Sequence, residues 1–244
     1  MFNFFSKKET PKLWFGTDIH CHILPGIDDG AQSVEESVQL VERMQGWGIT
    51  RIFASPHVTR NTFENTPETI SRARASLQDA LDAAGNGLKL GNSAEYRLDD
   101  LFDEHRSRGI LLTLPGNRLL IENSFMQERM GIEQLVFDLQ MDGFVPILVH
   151  PERYHYYRTA PSRYRALHDA GARFQINLLS LAGHYGKDEK RTAEMLIEQK
   201  LVDYVGTDLH RCAHADSIEA YLGSRDFRRH AAALQNTIKN DAIR

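Results

Sequence analysis

The sequence predicts an α/β protein, a closed or nearly closed parallel barrel of seven strand–helix units with its chemistry at the strands' C-terminal ends. Three observations lead there. Short apolar, β-branched runs recur at 13–19, 49–55, 88–94, 118–122, 144–149, 172–178 and 202–207, most of them flanked by Gly or Pro as buried parallel strands are. The runs end at 20, 57, 95, 122, 150, 177 and 208, gaps of 27 to 38 residues that each hold one strand, one crossover helix and two loops. Six of these seven end positions carry His, Asp or Glu. A doubly wound open sheet shares the alternation, but its site gathers at a switch point rather than at six or seven strand ends.

The elements follow in order. The first run ends in Asp18-Ile19-His20-Cys21-His22. Residues i and i+2 of an extended strand project from one face, so both imidazoles can grip the same ion. Ser33-Val34-Glu35-Glu36 reads as a capping box, with Val34, Val38, Val41 and Met44 on one helix face and Gly46 and Gly48 as the stop. The second run closes on Ser55-Pro56-His57. Thr66-Pro67 then starts a helix with Pro in its first turn, and Gly85-Asn86-Gly87 ends it. Later runs end in Ala94-Glu95-Tyr96, Ile121-Glu122, Val149-His150-Pro151 and Thr207-Asp208-Leu209-His210. Helices are expected near 98–108, 131–142, 161–170 and 188–200. The stretch 216–240 reads as one or two covering helices, with Phe227, Ala231, Leu234 and Ile238 as the buried stripe and Arg225, Arg228 and Arg229 solvated around it. No repeat or linker breaks the chain, so a tail of residues 1–12 and a single domain over 13–244 are expected.

Composition narrows the class. The 244 residues are 41% hydrophobic and 25% charged, ordinary for a globular protein with a sizeable core. A net charge of −4 gives no reason to expect nucleic-acid binding. Two cysteines, Cys21 and Cys212, make no disulfide framework, and with no apolar run near the roughly 20 residues of a membrane span the chain reads as cytoplasmic. The start, with Phe2, Phe4 and Phe5 ahead of Lys7 and Lys8, has its charge on the wrong side for a secretory signal and reads as a frayed or docked terminus.

The candidate ligands are His20, His22, His57, His150 and His210 with Asp29, Glu95, Glu122 and Asp208. Mixed imidazole and carboxylate ligation suits Mn, Fe or Zn and not a thiolate structural zinc. The set is too large for one ion and comfortable for two or three. Three divalent ions would leave about +2 on the site, attractive to a phosphoryl group. Singly, each residue has a plainer reading. His150 before Pro151 could be a turn histidine, Glu95 and Glu122 could pair with Arg97 or Arg118, and Asp28-Asp29 could form a turn. Those readings would have to hold at every position at once. Arg153, three residues after His150, offers a bidentate clamp for phosphate oxygens, and Arg211 beside His210 is a second candidate. Tyr154, His155, Tyr156 and Tyr157 border the substrate or pack the core. A cysteine phosphatase needs Arg six positions after its Cys, where Cys21 has Ile27 and Cys212 has Ile218. If the chain cleaves phosphoesters, the nucleophile should therefore be a metal-bound hydroxide.

On Asp18-Ile-His-Cys-His22, Leu24-Pro-Gly-Ile-Asp-Asp-Gly-Ala31, Ser55-Pro-His57, Ala94-Glu-Tyr96, His150-Pro-Glu-Arg-Tyr154 and Gly206-Thr-Asp-Leu-His210, the chain closely resembles the polymerase-and-histidinol-phosphatase (PHP) superfamily. Within it the resemblance is to the bacterial metal-dependent protein-tyrosine phosphatases encoded with capsule and exopolysaccharide genes. It runs from about residue 14 to residue 216. The resemblance implies a distorted (β/α)7 TIM-like barrel with a trinuclear site, often supplied with manganese. His20, His22, Glu95 and Asp208 would hold one ion; Glu95 would bridge to a second with Glu122 and His150; Asp29, His57 and His210 would serve the third. Arg153 matches the phosphate-binding arginine. Many relatives follow the last ligand His with Asn and, a few residues on, a second phosphate arginine. Here the run is His210-Arg211-Cys212-Ala213-His214, which leaves Arg211 or His214 to substitute. The implied activity is hydrolysis of phosphotyrosine on a bacterial tyrosine kinase of polysaccharide export, with a homo-oligomer compatible. A histidinol-phosphatase-like phosphoesterase is the alternative enzyme, and a non-catalytic regulatory barrel the alternative class.

Overall fold

Pro56 has no N–H to give to a strand ladder, and the second expected strand breaks there. In the computed structural model, which describes residues 11–244, it becomes β2 (Arg51–Ala54) and β3 (His57–Val58). Its neighbour breaks in step, into β4 (Leu90–Asn92) and β5 (Glu95–Arg97). The Ser93 N–H donates to the Ala54 carbonyl (2.8 Å) and the Glu95 N–H to the Pro56 carbonyl (3.0 Å), which carries the pairing across the gap. The remaining strands are β1 (Thr17–Asp18), β6 (Arg118–Glu122), β7 (Val145–Val149), β8 (Arg173–Asn177) and β9 (Tyr204–Gly206). Two hydrogen-bonded sets result, β1-β2-β4 and β3-β5-β6-β7-β8-β9, with every pair parallel. The result is the expected distorted barrel, with strands shorter than the apolar runs that predicted them. The reading of Phe2, Phe4 and Phe5 lies outside the described residues.

Between β9 and β1 the wall is closed by a few bonds rather than by a ladder. At the C-terminal end the Asp208 N–H donates to the His20 carbonyl (2.8 Å) and the His22 N–H to the Leu209 carbonyl (2.9 Å). Below them Asp18, fully buried, accepts from the Thr207 hydroxyl (2.5 Å) and N–H (3.2 Å). At the bottom the Asn240 amide fills the gap: Oδ1 accepts from Val205 N–H (3.0 Å), and Nδ2 donates to the carbonyls of Thr17 (3.0 Å) and Val205 (2.7 Å). Gly206 lets the walls meet, since a Cβ there would lie 2.7 Å from that of His20.

Strand alternation sorts the core into two. Phe53, Leu120, Ile147, Val149 and Tyr204 join Ile19, Leu114 and Ile243 in a small buried cluster, the barrel lumen. The alternate residues Ile52, Ala54, Leu119, Ile121, Leu148, Phe174, Ile176 and Val205 belong to the larger cluster under the helices. Glu122 continues the row of Leu120, and Gln175 and Asn177 take the same inward face on β8. The polar site is therefore the upper layer of the lumen.

Helices cover the outside: α1 (Val34–Gly46), α2 (Pro67–Ala83), α3 (Asp100–Ser107), α4 (Ile132–Met141), α5 (His155–Arg158), α6 (Ser162–Asp169), α7 (Leu178–Ala182), α8 (Lys187–Glu198), α9 (Cys212–Leu222) and α10 (Arg225–Leu234). Ser33 caps α1 as expected, but Glu36 reaches back to the Gln32 N–H (3.0 Å) instead of closing the box on Ser33. At the other end Gly48, at φ +96°, makes the stop, while Gly46 lies in the helix. The C-terminal pair begins at Cys212, before the expected 216, and its stripe is corrected: Phe227 and Leu234 are buried, whereas Ala231 and Ile238 are half-buried. His230 takes the inner position, on the Tyr221 hydroxyl (2.8 Å), because a polar partner waits there. No helix among the described residues is long and apolar enough to cross a membrane.

Two stability predictions follow from the closure. Asn240→Ala leaves up to three buried backbone groups unpaired and should cost roughly 2–4 kcal/mol, read as a lower urea midpoint at unchanged m-value. Asp203 accepts from Lys239 Nζ (2.5 Å) and the Phe174 N–H (3.2 Å) and faces His168 Nε2 (3.0 Å). Burial pushes its carboxyl up, but the bonds from His168 and Lys239 overrule it and hold it below the ordinary value. A lowered carboxyl stabilises the fold above its unfolded pKa of about 3.9 and loses that contribution as pH falls through the lower folded value. Asp203→Asn should thus lower stability at neutral pH and flatten the acid limb of a stability–pH curve.

Candidate metal centre

All nine expected ligands converge. Their donor atoms form four overlapping groups within 4.8 Å: His22, Asp29, His57 and His210; His20, His22 and Asp208; His20, Glu95 and His150; and His57, Glu95 and Glu122. His20 and His22 project together, as the i, i+2 spacing requires, with Nε2 atoms 3.2 Å apart. Cys21 faces the other way, buried with Sγ toward the Phe53 carbonyl. His150 is brought in by a kink. Val149 faces the lumen, so a straight strand would send His150 outward; its backbone instead turns left-handed (φ 34°, ψ 52°). Asp208, just beyond β9, likewise turns left-handed, with φ 51°. Such conformations are uncommon for non-glycine residues, and His and Asp are among those that tolerate them.

Glu95 is the hub. Its Oε2 lies 2.9 Å from His57 Nδ1 and 3.3 Å from Nε2 of both His20 and His22, yet is buried with no hydrogen-bond partner of good geometry. Its Oε1 lies 2.9 Å from His150 Nε2, which is 3.6 Å from Glu122 Oε1. Asp29 Oδ1 lies 3.5 Å from Nε2 of both His57 and His210. Burial pushes Glu95 up and His20 down, but the charges of His57 and His20 hold Glu95 well below the carboxylate range, and those of Glu95 and Asp208 hold His20 up at about 9. Burial and the Glu95 charge lift Glu122 to about 7, and burial lowers His150 to about 4. Buried lone pairs aimed at common points, balanced by protons on imidazole, are a donor set that divalent cations fit and from which they displace those protons.

A second layer fixes these donors, and most of it escapes a reading of strand ends. His20 Nδ1 lies 2.6 Å from Gln175 Oε1, and His22 Nδ1 lies 2.8 Å from Asp28 Oδ2. Both histidines are thereby oriented with Nε2 toward the cluster. Asp28 is thus more than a turn residue: it also accepts from the N–H groups of Gly30 (2.9 Å) and His57 (3.1 Å). Gly30 is required here, because a Cβ would lie 2.0 Å from the His22 carbonyl oxygen. Asn177, the one strand end without an ionisable group, donates to Asp208 Oδ2 (2.6 Å), and Glu152 holds Asn177 through its N–H (2.9 Å).

Above the ligands opens a cleft of about 350 Å³. Arg153 lines it, with its guanidinium carbon 4.2 Å from the Tyr185 ring centre and 4.8 Å from that of Phe125, and Nη1 donating to Asp208 (3.2 Å). Arg211 and His214 also line the cleft; Arg211 is exposed at the start of α9, and burial lowers His214 to about 4. Of the aromatic run, Tyr154 and Tyr157 are buried, Tyr156 bonds the Ser124 carbonyl and His155 is exposed; none of them lines the cleft, so the packing reading holds for the three tyrosines. The lining aromatics are Phe63, Phe125 and Tyr185, from loops whose sequence carries no spacing signal. Arg97 lines the cleft too and pairs with Glu122 (2.8 Å) as the plainer reading allowed, whereas Arg118 bonds Tyr204 at the other end of β6.

The chain is similar to several known proteins. The family described as "Capsular polysaccharide synthesis, CpsB/CapC" matches residues 16–218. The chain is 34% identical over 194 residues to the tyrosine-protein phosphatase YwqE of Bacillus subtilis, covering 79% of this chain and 76% of YwqE. It is 30% identical over 213 residues to the tyrosine-protein phosphatase CpsB of Streptococcus pneumoniae, covering 84% and 86%. Its fold is similar, with a TM-score of 0.78 and 32% identity over 91% of this chain and 94% of the other, to a solved structure from work on YwqE and CpsB as "unique metal-dependent tyrosine phosphatases".

The second layer can be probed by itself. Asp28→Asn and Gln175→Leu should each weaken affinity for a divalent ion by about 10–100-fold, read by metal titration, while the ligands stay in place.

Proposed function

The chain belongs to the CpsB/CapC family of capsular polysaccharide synthesis, and from that membership we infer that it is a metal-dependent protein-tyrosine phosphatase. The observation that carries the reading is the convergence of four carboxylates and five imidazoles in a single cleft, beneath an arginine held between two aromatic rings. We assign residues 13–244 to one catalytic domain whose substrate is phosphotyrosine on a bacterial tyrosine kinase of polysaccharide export.

His20, His22, Glu95 and Asp208 would hold one divalent ion, Glu95, Glu122 and His150 a second, and Asp29, His57 and His210 a third, manganese being the leading candidate. Ions held there supply Lewis acidity toward the phosphoryl oxygens and a strong nucleophile from water at neutral pH. The rest falls to the chain itself. Arg153 is pinned by Asp208 and by two aromatic faces, so its remaining N–H donors meet a phosphoryl group without first being ordered. Arg211, at the rim, is the second candidate clamp. Phe63, Phe125 and Tyr185 suit the ring of an aryl phosphate. The phenol of tyrosine, with a pKa of about 10, leaves with little help from an acid.

Exhaustive chelation should abolish turnover of an aryl phosphate and Mn²⁺ should restore it; turnover that survives chelation would sink the metal mechanism. Arg153→Ala should keep its metal stoichiometry while kcat/KM falls roughly 10²–10³-fold, and Arg153→Lys should recover only part of that loss. A near wild-type Arg153→Ala enzyme would move the clamp to Arg211. Higher kcat/KM on a phosphotyrosine peptide than on histidinol phosphate separates this activity from a small-molecule phosphoesterase.

A further inference from the structure

Of the Phe and Tyr side chains lining the cleft, Phe125 and Tyr185 are already engaged and Phe63 is not. Phe125 carries the guanidinium groups of Arg153 (4.8 Å) and Arg97 (5.5 Å) and lies nearly parallel to the His150 ring (17°, centres 5.8 Å apart). Tyr185 carries Arg153 over its ring (4.2 Å) and donates its hydroxyl to Asp208 Oδ2 (3.1 Å). Both also pack against the main core. Phe63 is half-buried and stands outside the apolar shell packed on that core. Among the described residues no guanidinium lies over its ring. Its aromatic neighbour is the candidate ligand His57, stacked nearly parallel to it (12°, centres 5.8 Å apart). Neither core packing nor support of Arg153 accounts for an aromatic ring at this position.

The backbone fixes that ring. Thr59 and Phe63 exchange both backbone hydrogen bonds (2.9 and 3.0 Å) around a tight turn in which Asn61 is left-handed, at φ 63°. The Arg60 N–H donates to the Asp99 carboxylate (2.9 Å), which ties the turn to the start of α3. In the strand order β3 and β7 stand three places apart, so this turn and Arg153 rise on different sides of the cleft. A phosphomonoester held at the ligands by Arg153 has its organic group free to meet the Phe63 wall.

We propose that Phe63 determines the preference for aryl over alkyl phosphomonoesters, its ring packing against the phenyl ring of the substrate. The inference rests on the phosphatase reading above and names the residue that selects the substrate class. Offset-stacked and edge-on aromatic pairs are favoured beyond the area they bury, and a ring already fixed by its turn loses little freedom on pairing. An alkyl group gains only the ordinary apolar contact.

The test measures binding to the Mn²⁺-loaded protein by calorimetry with inorganic phosphate, ethylphosphonate and benzylphosphonate, none of which is a hydrolysable ester. The wild type should bind benzylphosphonate about tenfold more tightly than ethylphosphonate. Phe63→Leu keeps bulk over His57 without an aromatic face. It should cut that ratio roughly 3–10-fold while metal stoichiometry and affinity for the other two probes hold. Phe63→Tyr should retain the ratio, and on a phosphotyrosine peptide the loss in Phe63→Leu should appear mainly in KM. Phe125→Leu, which loosens Arg153, should instead weaken all three probes alike. A ratio that survives Phe63→Leu overturns the inference, as does equal weakening of all three probes by that variant, which would assign Phe63 to support of His57. Turnover of the phosphotyrosine peptide is read separately: a wild type that hydrolyses no phosphoester overturns the phosphatase reading and this inference with it, whereas an unchanged binding ratio overturns the inference alone.

Discussion

The carboxylate of Glu95 sets the terms for the rest of this structure. It is fully buried, and imidazole nitrogens of His20, His22, His57 and His150 lie 2.9–3.3 Å from its oxygens. Unpaired charge in so dry a place would be expensive. The surrounding wall therefore has to deliver opposite charge from several strands at once and hold it there. A barrel is suited to the task because adjacent parallel strands end at one level, and each can lend a side chain to the same point.

The wall is weakest where that delivery is most demanding. β1 carries two ligands just beyond its last ladder bond, and the facing strand carries Asp208 and His210, so the seam between them runs through the site. Asp18 and Thr207 stitch it under the ligands, Asn240 stitches it at the floor, and Gly206 permits the close approach. Polar side chains replace backbone ladder here, which ties closure of the barrel to placement of the ligands. The left-handed turns at His150 and Asp208 belong to the same economy of space, since they bring donors inward at points where extended strands would not.

Outward from the candidate ligands the structure changes from buried to exposed. Arg153 is held between Tyr185, Phe125 and Asp208. Arg211 at the rim is exposed.

The sequence by itself determined the barrel and the candidate ligands that converge at its top. Apolar runs with a functional group at each end are a local signal, and strand periodicity converts that signal into a shared face. His20 and His22, Glu95, Glu122 and Asp208 were legible for that reason, and Arg153 through its place after His150. The helix starts at Ser33 and Thr66 were legible because capping is local chemistry. Tertiary structure alone decided how the seam closes, since Asn240 meets Thr17 across 223 positions of chain. It also decided that Asp28 and Gln175 orient the histidines, that Phe125 and Tyr185 grip Arg153, and that His230 replaces an apolar residue in the C-terminal stripe. Those contacts join residues whose spacing follows no period, so no window along the chain contains them. They exist only once packing has brought separate strands and loops together.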